Sequence, residues 1–264
     1  MLSSSRPYSD EIARIYDLLV EGREDAEAEG QELEFLLWTL RDACPRQVKD
    51  VLDAGCGTGR HLIPLLREGY RVAGLDNSAA MIEECRRKLD SRALSAELAV
   101  ADLGGLDYDA CFDAVLCMNS VICYLPDTDA IVGALRGFVR ALRPGGMLLL
   151  DNCNFLAQWM TFGETYWNKR EGERARIEFQ ERRWYDDFAS IFHIEIEATV
   201  HEGERSYELR NRDDLRVMTV GEMTMHLKEA GFTAIAAYPS FDLSHADEPC
   251  GERMIFLALR AAAG

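Results

Sequence analysis

The chain has 264 residues, 48% hydrophobic and 28% charged, which excludes a disordered tail, a collagen-like repeat and a solvated linker. Its 46 acidic against 29 basic residues give a net charge of -17, a field that repels phosphate backbones and anionic membranes, so neither nucleic acid nor membrane is an expected partner. No apolar run approaches the roughly 18 residues of a membrane helix and no signal-like segment opens the chain, so a cytoplasmic location is expected.

Residues 9–43 carry helical spacing, with Ile12, Ile15, Tyr16 and Leu19 on one stripe and Leu33, Leu36, Leu37 and Leu40 on another. Between them, Glu21 to Glu34 holds seven acids and one arginine, which reads as a solvated helix face. From residue 48 strand and helix alternate: a run Val48 to Leu52, a glycine turn, a helix Arg60 to Glu68, a run Val72 to Leu75, a helix Ala79 to Leu89 and a run Leu98 to Ala101. The pattern repeats as a run Phe112 to Met118, a helix Asp129 to Leu142, a turn Arg143 to Gly146 and a run Met147 to Leu150. Such alternation predicts a parallel sheet with helices on both faces.

Over residues 174–217 Arg, Glu, Tyr, Phe and Ile recur at period two around a Glu202-Gly203-Glu204 turn, which predicts an antiparallel β insertion. A helix Gly221 to Ala230, stopped by Gly231, and runs Phe232 to Tyr238 and Met254 to Leu259 follow, the last run closing the sheet. No repeat or low-complexity linker intervenes, so insertion and core are expected in one folding unit. The predicted division is a helical cap over 1–45, an α/β core over 46–154 and 218–264, and an antiparallel lid over 155–217.

The eight cysteines form no CxxC pair, and several lie in apolar strand patterns such as Cys111 to Cys117, so reduced thiols are expected. The five histidines show no HxH or HExxH spacing, so no metal is expected, and His193 and His226 read as structural.

The strongest chemical signal is Val51-Leu-Asp-Ala-Gly-Cys-Gly-Thr-Gly59, three alternate glycines between a strand and a helix, where a ligand can approach bare backbone. A dinucleotide fingerprint counted from Gly55 would need its last glycine where Arg60 stands, which argues against a pyrophosphate. Asp76 ends the second strand, where a carboxylate either meets the ribose hydroxyls of a nucleoside or caps the following helix. Asp102 ends the third, placed either to accept from an adenine amine or to cap a loop.

Asp53-Ala-Gly-Cys-Gly-Thr-Gly59, Asp76 with Asn77-Ser78, Ala101-Asp102-Leu103, Phe112 to Cys117 and Leu142-Arg-Pro-Gly-Gly146, in order over residues 48–151, resemble the class I S-adenosylmethionine-dependent methyltransferases. The resemblance implies a Rossmann-like α/β fold with a mostly parallel seven-stranded sheet, helices on both faces and the β lid, with S-adenosylmethionine as cofactor. It implies that Gly55 and Gly57 face the methionine part, that Asp76 holds the ribose, and that Asp102 with the Leu103 amide frames the adenine. Cys56 is expected as a small neighbour of the cofactor, and Tyr16, Asp53, Asn77, Met81 and Met118 as further contacts.

Tyr16-Asp17 before an acidic helix, Cys117 to Leu125, the β insertion and the final strand resemble small-molecule N-methyltransferases of the amino-sugar and glycine types. In those enzymes the amino-terminal segment and the insertion cover the site, and Tyr16 would close on the methionine end, although its stripe also suits a core role. Tyr124 departs from the sugar enzymes, which commonly show histidine there.

A sulfonium is already an activated electrophile, so in-line placement in a dry pocket supplies most of the rate. A base is optional for an amine and usual for a hydroxyl. Asn119 and Tyr124 are the candidate catalytic residues, with Trp159, Tyr166, Trp167, Trp184 and Tyr185 as candidate cage aromatics. Arg183 and Arg216 are candidates for an acceptor carboxylate or for surface and lid salt bridges. The expected function is methyl transfer to a small molecule, with an amine nitrogen favoured over an O-methylated acceptor or a catalytically silent cofactor-binding protein, in a monomer or homodimer.

Overall fold

The computed structural model describes residues 8–20, 26–157, 165–172 and 174–262. Helices α1 (Asp10–Val20) and α2 (Ala26–Trp38) lead in, and an alternating run follows: β1 (Asp50–Ala54), α3 (Leu62–Arg67), β2 (Arg71–Asp76), α4 (Ala79–Asp90), β3 (Glu97–Val100), β4 (Phe112–Cys117), α5 (Thr128–Ala141) and β5 (Leu142–Cys153). Strands β6 (Thr165–Glu171), β7 (Arg176–Asp186), β8 (Ile191–Glu202) and β9 (Arg205–Arg216) form a meander, after which come α6 (Val220–Ala230), β10 (Phe232–Tyr238) and β11 (Arg253–Arg260).

The main sheet has the order β10-β11-β5-β4-β1-β2-β3, so the chain reverses direction across it between β1 and β4. Every neighbouring pair from β3 to β5 is parallel, and β11 runs antiparallel to both β5 and β10. The central strand β4 is buried at every position, as its unbroken apolar run requires with helices covering both faces. In an open sheet of this kind ligands gather at the carboxyl ends of the strands beside the reversal, here the ends of β1, β2 and β4.

Three sequence expectations are corrected. Arg143 to Gly146 is not a free turn: it lies within β5, where the pairing to β4 slips between Phe112/Leu142 and Ala114/Met147 and Gly145 takes φ 75°. The slack of a bulge lets the strand start directly from α5. The last strand does not close the sheet but slots between β5 and β10; β11 has the unbroken buried run, whereas the alanine-rich β10 takes the edge. The acidic helix is not solvated throughout, because Glu32 is buried against the glycine turn.

The four-stranded sheet places Ile177, Phe179, Phe192, Ile194, Ile196 and Val200 in the same apolar core as Ile12, Ile15 and Leu19 of α1 and the strands of the main sheet. A spacing of three and four along α1 and of two along β7 and β8 makes both faces apolar. Between core and meander this leaves room that side chains from both line.

Candidate active site

Two cavities open at the carboxyl ends of the central strands. One, of about 540 Å³, lies over the glycine turn and is lined by Gly55, Cys56, Gly57, Asp76, Met81 and Met118, with Tyr16 and Asp17 of α1 and Glu32 of α2. The other, of about 430 Å³, lies under the meander and is lined by Asn168, Arg170, Arg183, Phe192, Ile194, Asn211 and Asp213 together with Glu252 and Arg253. Tyr8, Tyr16, Asn119 and Tyr124 line both and form the wall where the cavities meet.

The glycine turn is shaped by its neighbours. Gly55 sits at φ 85°, and a Cβ there would come within 2.5 Å of Val121, so only glycine lets the loop after β4 close on the end of β1. Gly57 sits at φ 52° with nothing within 4 Å of where a Cβ would project. Its N–H donates to Asp76 Oδ2 at 3.0 Å, and the Ser78 N–H donates to Asp76 Oδ1 at 2.9 Å. Asp76 therefore braces the turn and the start of α4 while still lining the cavity. Burial raises its carboxyl, and the two amides pull against that rise.

A narrow recess of about 90 Å³ continues the first cavity between Leu75, Asp76, Asn77, Ala101, Asp102 and Leu103 on one side and Val121, Tyr124 and Leu125 on the other. Asp102 Oδ1 accepts from Gly104 N–H at 2.9 Å, so it caps the Leu103–Gly105 turn and borders the recess as well. A bare backbone cradle, a carboxylate with unused lone pairs and an apolar slot with an acid at its lip suit the methionine, ribose and adenine parts of S-adenosylmethionine in turn.

Asp53 is placed differently from expectation. Asp53 is buried beneath the turn, lines none of the three spaces, and neither oxygen has a full hydrogen bond among the described residues. Burial pushes its carboxyl up to about 6, with Asp76 adding to the rise and His61 and the Leu62 amide opposing it. Cys56 borders the cavity, but its thiol is turned to Cys85 of α4 and lies against Gly74.

The cap is pinned to this turn by polar contacts that no sequence motif announces. Glu32 accepts from Arg60 at 2.7 Å and pairs with His61 Nε2 at 2.8 Å. Burial pushes Glu32 up, but His61 and then Arg60 outweigh it and hold the carboxyl at about 2. Thr58 donates to Asp17 at 2.6 Å, Lys88 pairs with Asp17, and Arg170 of β6 donates to the Leu18 and Leu19 carbonyls at the end of α1.

At the shared wall, Asn119 and Ser120 both occupy the left-handed region, at φ 55° and 60°, an unusual pair for residues with side chains. The Asp151 carboxylate and carbonyl accept from their amides at 3.0 and 2.9 Å, and Ser120 Oγ accepts from Cys153 N–H. Arg253 clamps Asp151 and donates to Asn119 Oδ1. Tyr124 ends the short helical turn Val121–Tyr124, with its hydroxyl 2.6 Å from that of Tyr8, and Tyr8 donates to Asp213 Oδ1 at 3.0 Å. Burial, and next the Asp213 charge, push both phenols well above their usual range, so both keep their protons.

Several candidates fall outside the acceptor cavity. Trp167 is 76% exposed on the outer face, and Tyr166 lies under Arg183 at 5.4 Å without lining the space. Arg216 donates to the Pro126 carbonyl instead. Trp184 stacks on His193, which pairs with Asp214 at 2.6 Å, and Tyr185 lines neither cavity. Trp159 lies outside the described residues. Arg183 does line the cavity, paired with Glu181. Among the described residues no group of His, Cys, Asp and Glu forms a metal site, the eight cysteines are free thiols, and no helix is long and apolar enough to cross a membrane.

The pattern of a methyltransferase domain matches residues 51–146. The chain is 32% identical over 186 residues to the dTDP-3-amino-3,6-dideoxy-alpha-D-glucopyranose N,N-dimethyltransferase of Streptomyces fradiae, covering 65% of this chain and 70% of that protein. It is 28% identical over 233 residues to the dTDP-3-amino-3,4,6-trideoxy-alpha-D-glucopyranose N,N-dimethyltransferase of Streptomyces venezuelae, covering 86% and 90%. Its fold is similar to that of the sugar N-methyltransferase KedS8 of a Streptoalloteichus species, with a TM-score of 0.75 at 24% identity, covering 99% of this chain and 98% of that one.

Proposed function

Because the chain belongs to the class I S-adenosylmethionine-dependent methyltransferases, we propose that it methylates an amine nitrogen of a small polar acceptor, with an amino sugar the first class to try. The observation that carries this reading is the pair of cavities with one common wall at Tyr8, Tyr16, Asn119 and Tyr124. The relatives that act on amino sugars support the acceptor class.

When bound, S-adenosylmethionine supplies a methyl group on a positively charged sulfur. In this reading Gly55 and Gly57 leave room for its methionine part, Asp76 accepts from the ribose hydroxyls, and Asp102 with the Leu103 amide receives the adenine edge. Tyr124 orients the acceptor at the wall, and Asn119 is held beside it by Arg253 and Asp151. The apolar ceiling of Phe192, Ile194 and Ile196 excludes water, so placement rather than acid–base chemistry carries most of the rate. Residues 155–217 act as the lid and the amino-terminal helices as the cap.

The test is a screen of amino sugars, amino acids, simple amines and phenols with methyl-labelled S-adenosylmethionine, read by mass spectrometry of the product. Labelled N-methyl product supports the reading; methylation confined to phenols or acids refutes it.

A further inference from the structure

Two carboxylates line the acceptor cavity, Glu252 and the lid residue Asp213, and no sequence motif singles out the second. Asp213 stands on β9, and its carboxylate is hydrogen-bonded to both Tyr8 of the cap and Tyr124 of the core. Here the two hydroxyls lie 2.6 Å apart and both are hydrogen-bonded to the Asp213 carboxylate, so the phenols and the acid form one cluster. Tyr124 lines both cavities, so its hydroxyl oxygen stands where it can accept from an acceptor N–H. The hydrogen bonds of this cluster then connect acceptor to carboxylate and polarise one another. The Asp213 charge is felt at both hydroxyls, where it is the largest electrostatic influence after burial itself.

The arginines of the same cavity serve other partners. Arg253 is clamped to Asp151, Arg183 is paired with Glu181, and Arg170 caps the end of α1. Tyr8 is also tied to the cofactor side, because its carbonyl accepts from Ser78 Oγ at 2.8 Å, two residues beyond Asp76.

In transfer to an amine, the nitrogen lone pair forms the C–N bond while the C–S bond breaks with its electrons staying on sulfur. One positive charge thus leaves the cofactor side of the wall and arrives on nitrogen, and the product departs as the ammonium with no proton moved inside the site. We propose that Asp213, acting through Tyr8 and Tyr124, is the charge-selecting residue of the acceptor site: it favours acceptors that finish the reaction as cations, primary and secondary amines, over alcohols, phenols and carboxylates. This rests on the amine reading above, and within it Asp213 is a positioning residue that acts through the tyrosine pair.

The experiment compares two probes of similar size, tetramethylammonium and tert-butanol, titrated at constant ionic strength into the full chain loaded with S-adenosylhomocysteine. The wild-type protein should bind the cation at least about tenfold more tightly than the alcohol, as a charged partner implies. In Asp213→Asn that ratio should fall to near one with S-adenosylhomocysteine affinity unchanged, and Tyr8→Phe should reduce it in part. A loss of packing alone would weaken both probes together and leave the ratio intact, which overturns the proposal. So does a wild-type protein that does not prefer the cation. Should Asp213→Asn fail to fold, Asp213→Glu, which retains the charge, and Tyr8→Phe carry the comparison, and a ratio equal to wild type in Tyr8→Phe overturns the proposal. A protein that methylates amines yet shows an Asp213-independent ratio refutes this proposal alone; one that methylates only phenols refutes the amine reading itself.

Discussion

At the scale of single residues, the hydroxyl of Tyr124 and the carboxyl of Asp53 make opposite demands. Tyr124 Oη is already engaged by Tyr8 at the wall between the cavities, so Tyr124→Phe removes an orienting group and little volume. It should leave cofactor affinity and fold intact and lower kcat by roughly ten- to a hundredfold, about 1.4 to 2.7 kcal/mol, in steady-state assays on the true acceptor. Asp53 instead costs stability where it stands. Its folded pKa of about 6 lies above the usual carboxylate value, so its contribution is favourable below about pH 4 and is lost as pH rises through 6. Asp53→Asn should abolish that pH dependence and leave the cofactor-free protein more stable at pH 7 by about 2 to 3 kcal/mol, measured by urea unfolding at pH 4 and pH 7. A buried acid retained at such a cost, directly beneath the glycine turn, fits a role in shaping the cofactor site.

Among elements, α2 is joined to the glycine turn by one side chain. Glu32 has its carboxyl held at about 2, so its stabilisation is present above about pH 4.5 and is lost as pH falls toward 2. Glu32→Gln should cost on the order of 3 kcal/mol at neutral pH and flatten the acid limb of the stability curve, and unfolding followed at pH 3 and pH 7 checks both. This contact was invisible in the sequence, where Glu32 is one acid in a run and Arg60 and His61 stand 28 and 29 residues away. The glycine turn and Asp76 were legible because their spacing is local and each position answers to one backbone constraint. Tyr8 and Asp213 were not, since 205 residues separate them and only the register of the meander brings them together. Trp167 was misplaced for a related reason: alternation shows that Tyr166, Trp167 and Asn168 change faces, but only packing decides which face is inward.

For the molecule as a whole, cap, core and meander share one apolar core and one polar cluster, so binding on one side of the wall should be felt on the other. Hydrogen exchange should slow over residues 8–20 and in β6 to β9 when S-adenosylhomocysteine and acceptor bind together. Protection confined to residues 50–105 would show that these segments do not close over the site. The linings of the two cavities are divided along the chain in a further way: no lining residue of the cofactor cavity or its recess lies beyond Leu125, whereas most of the acceptor cavity is drawn from beyond residue 150. Heritable change can therefore act on the two separately. Exchanging the contiguous stretch 165–217 for that of a relative should alter which acceptors are methylated while S-adenosylhomocysteine affinity, read by calorimetry, stays within about threefold, well under 1.4 kcal/mol. Such a layout lets lineages diversify their chemistry by replacing one block of gene, without having to rediscover how to hold the methyl donor.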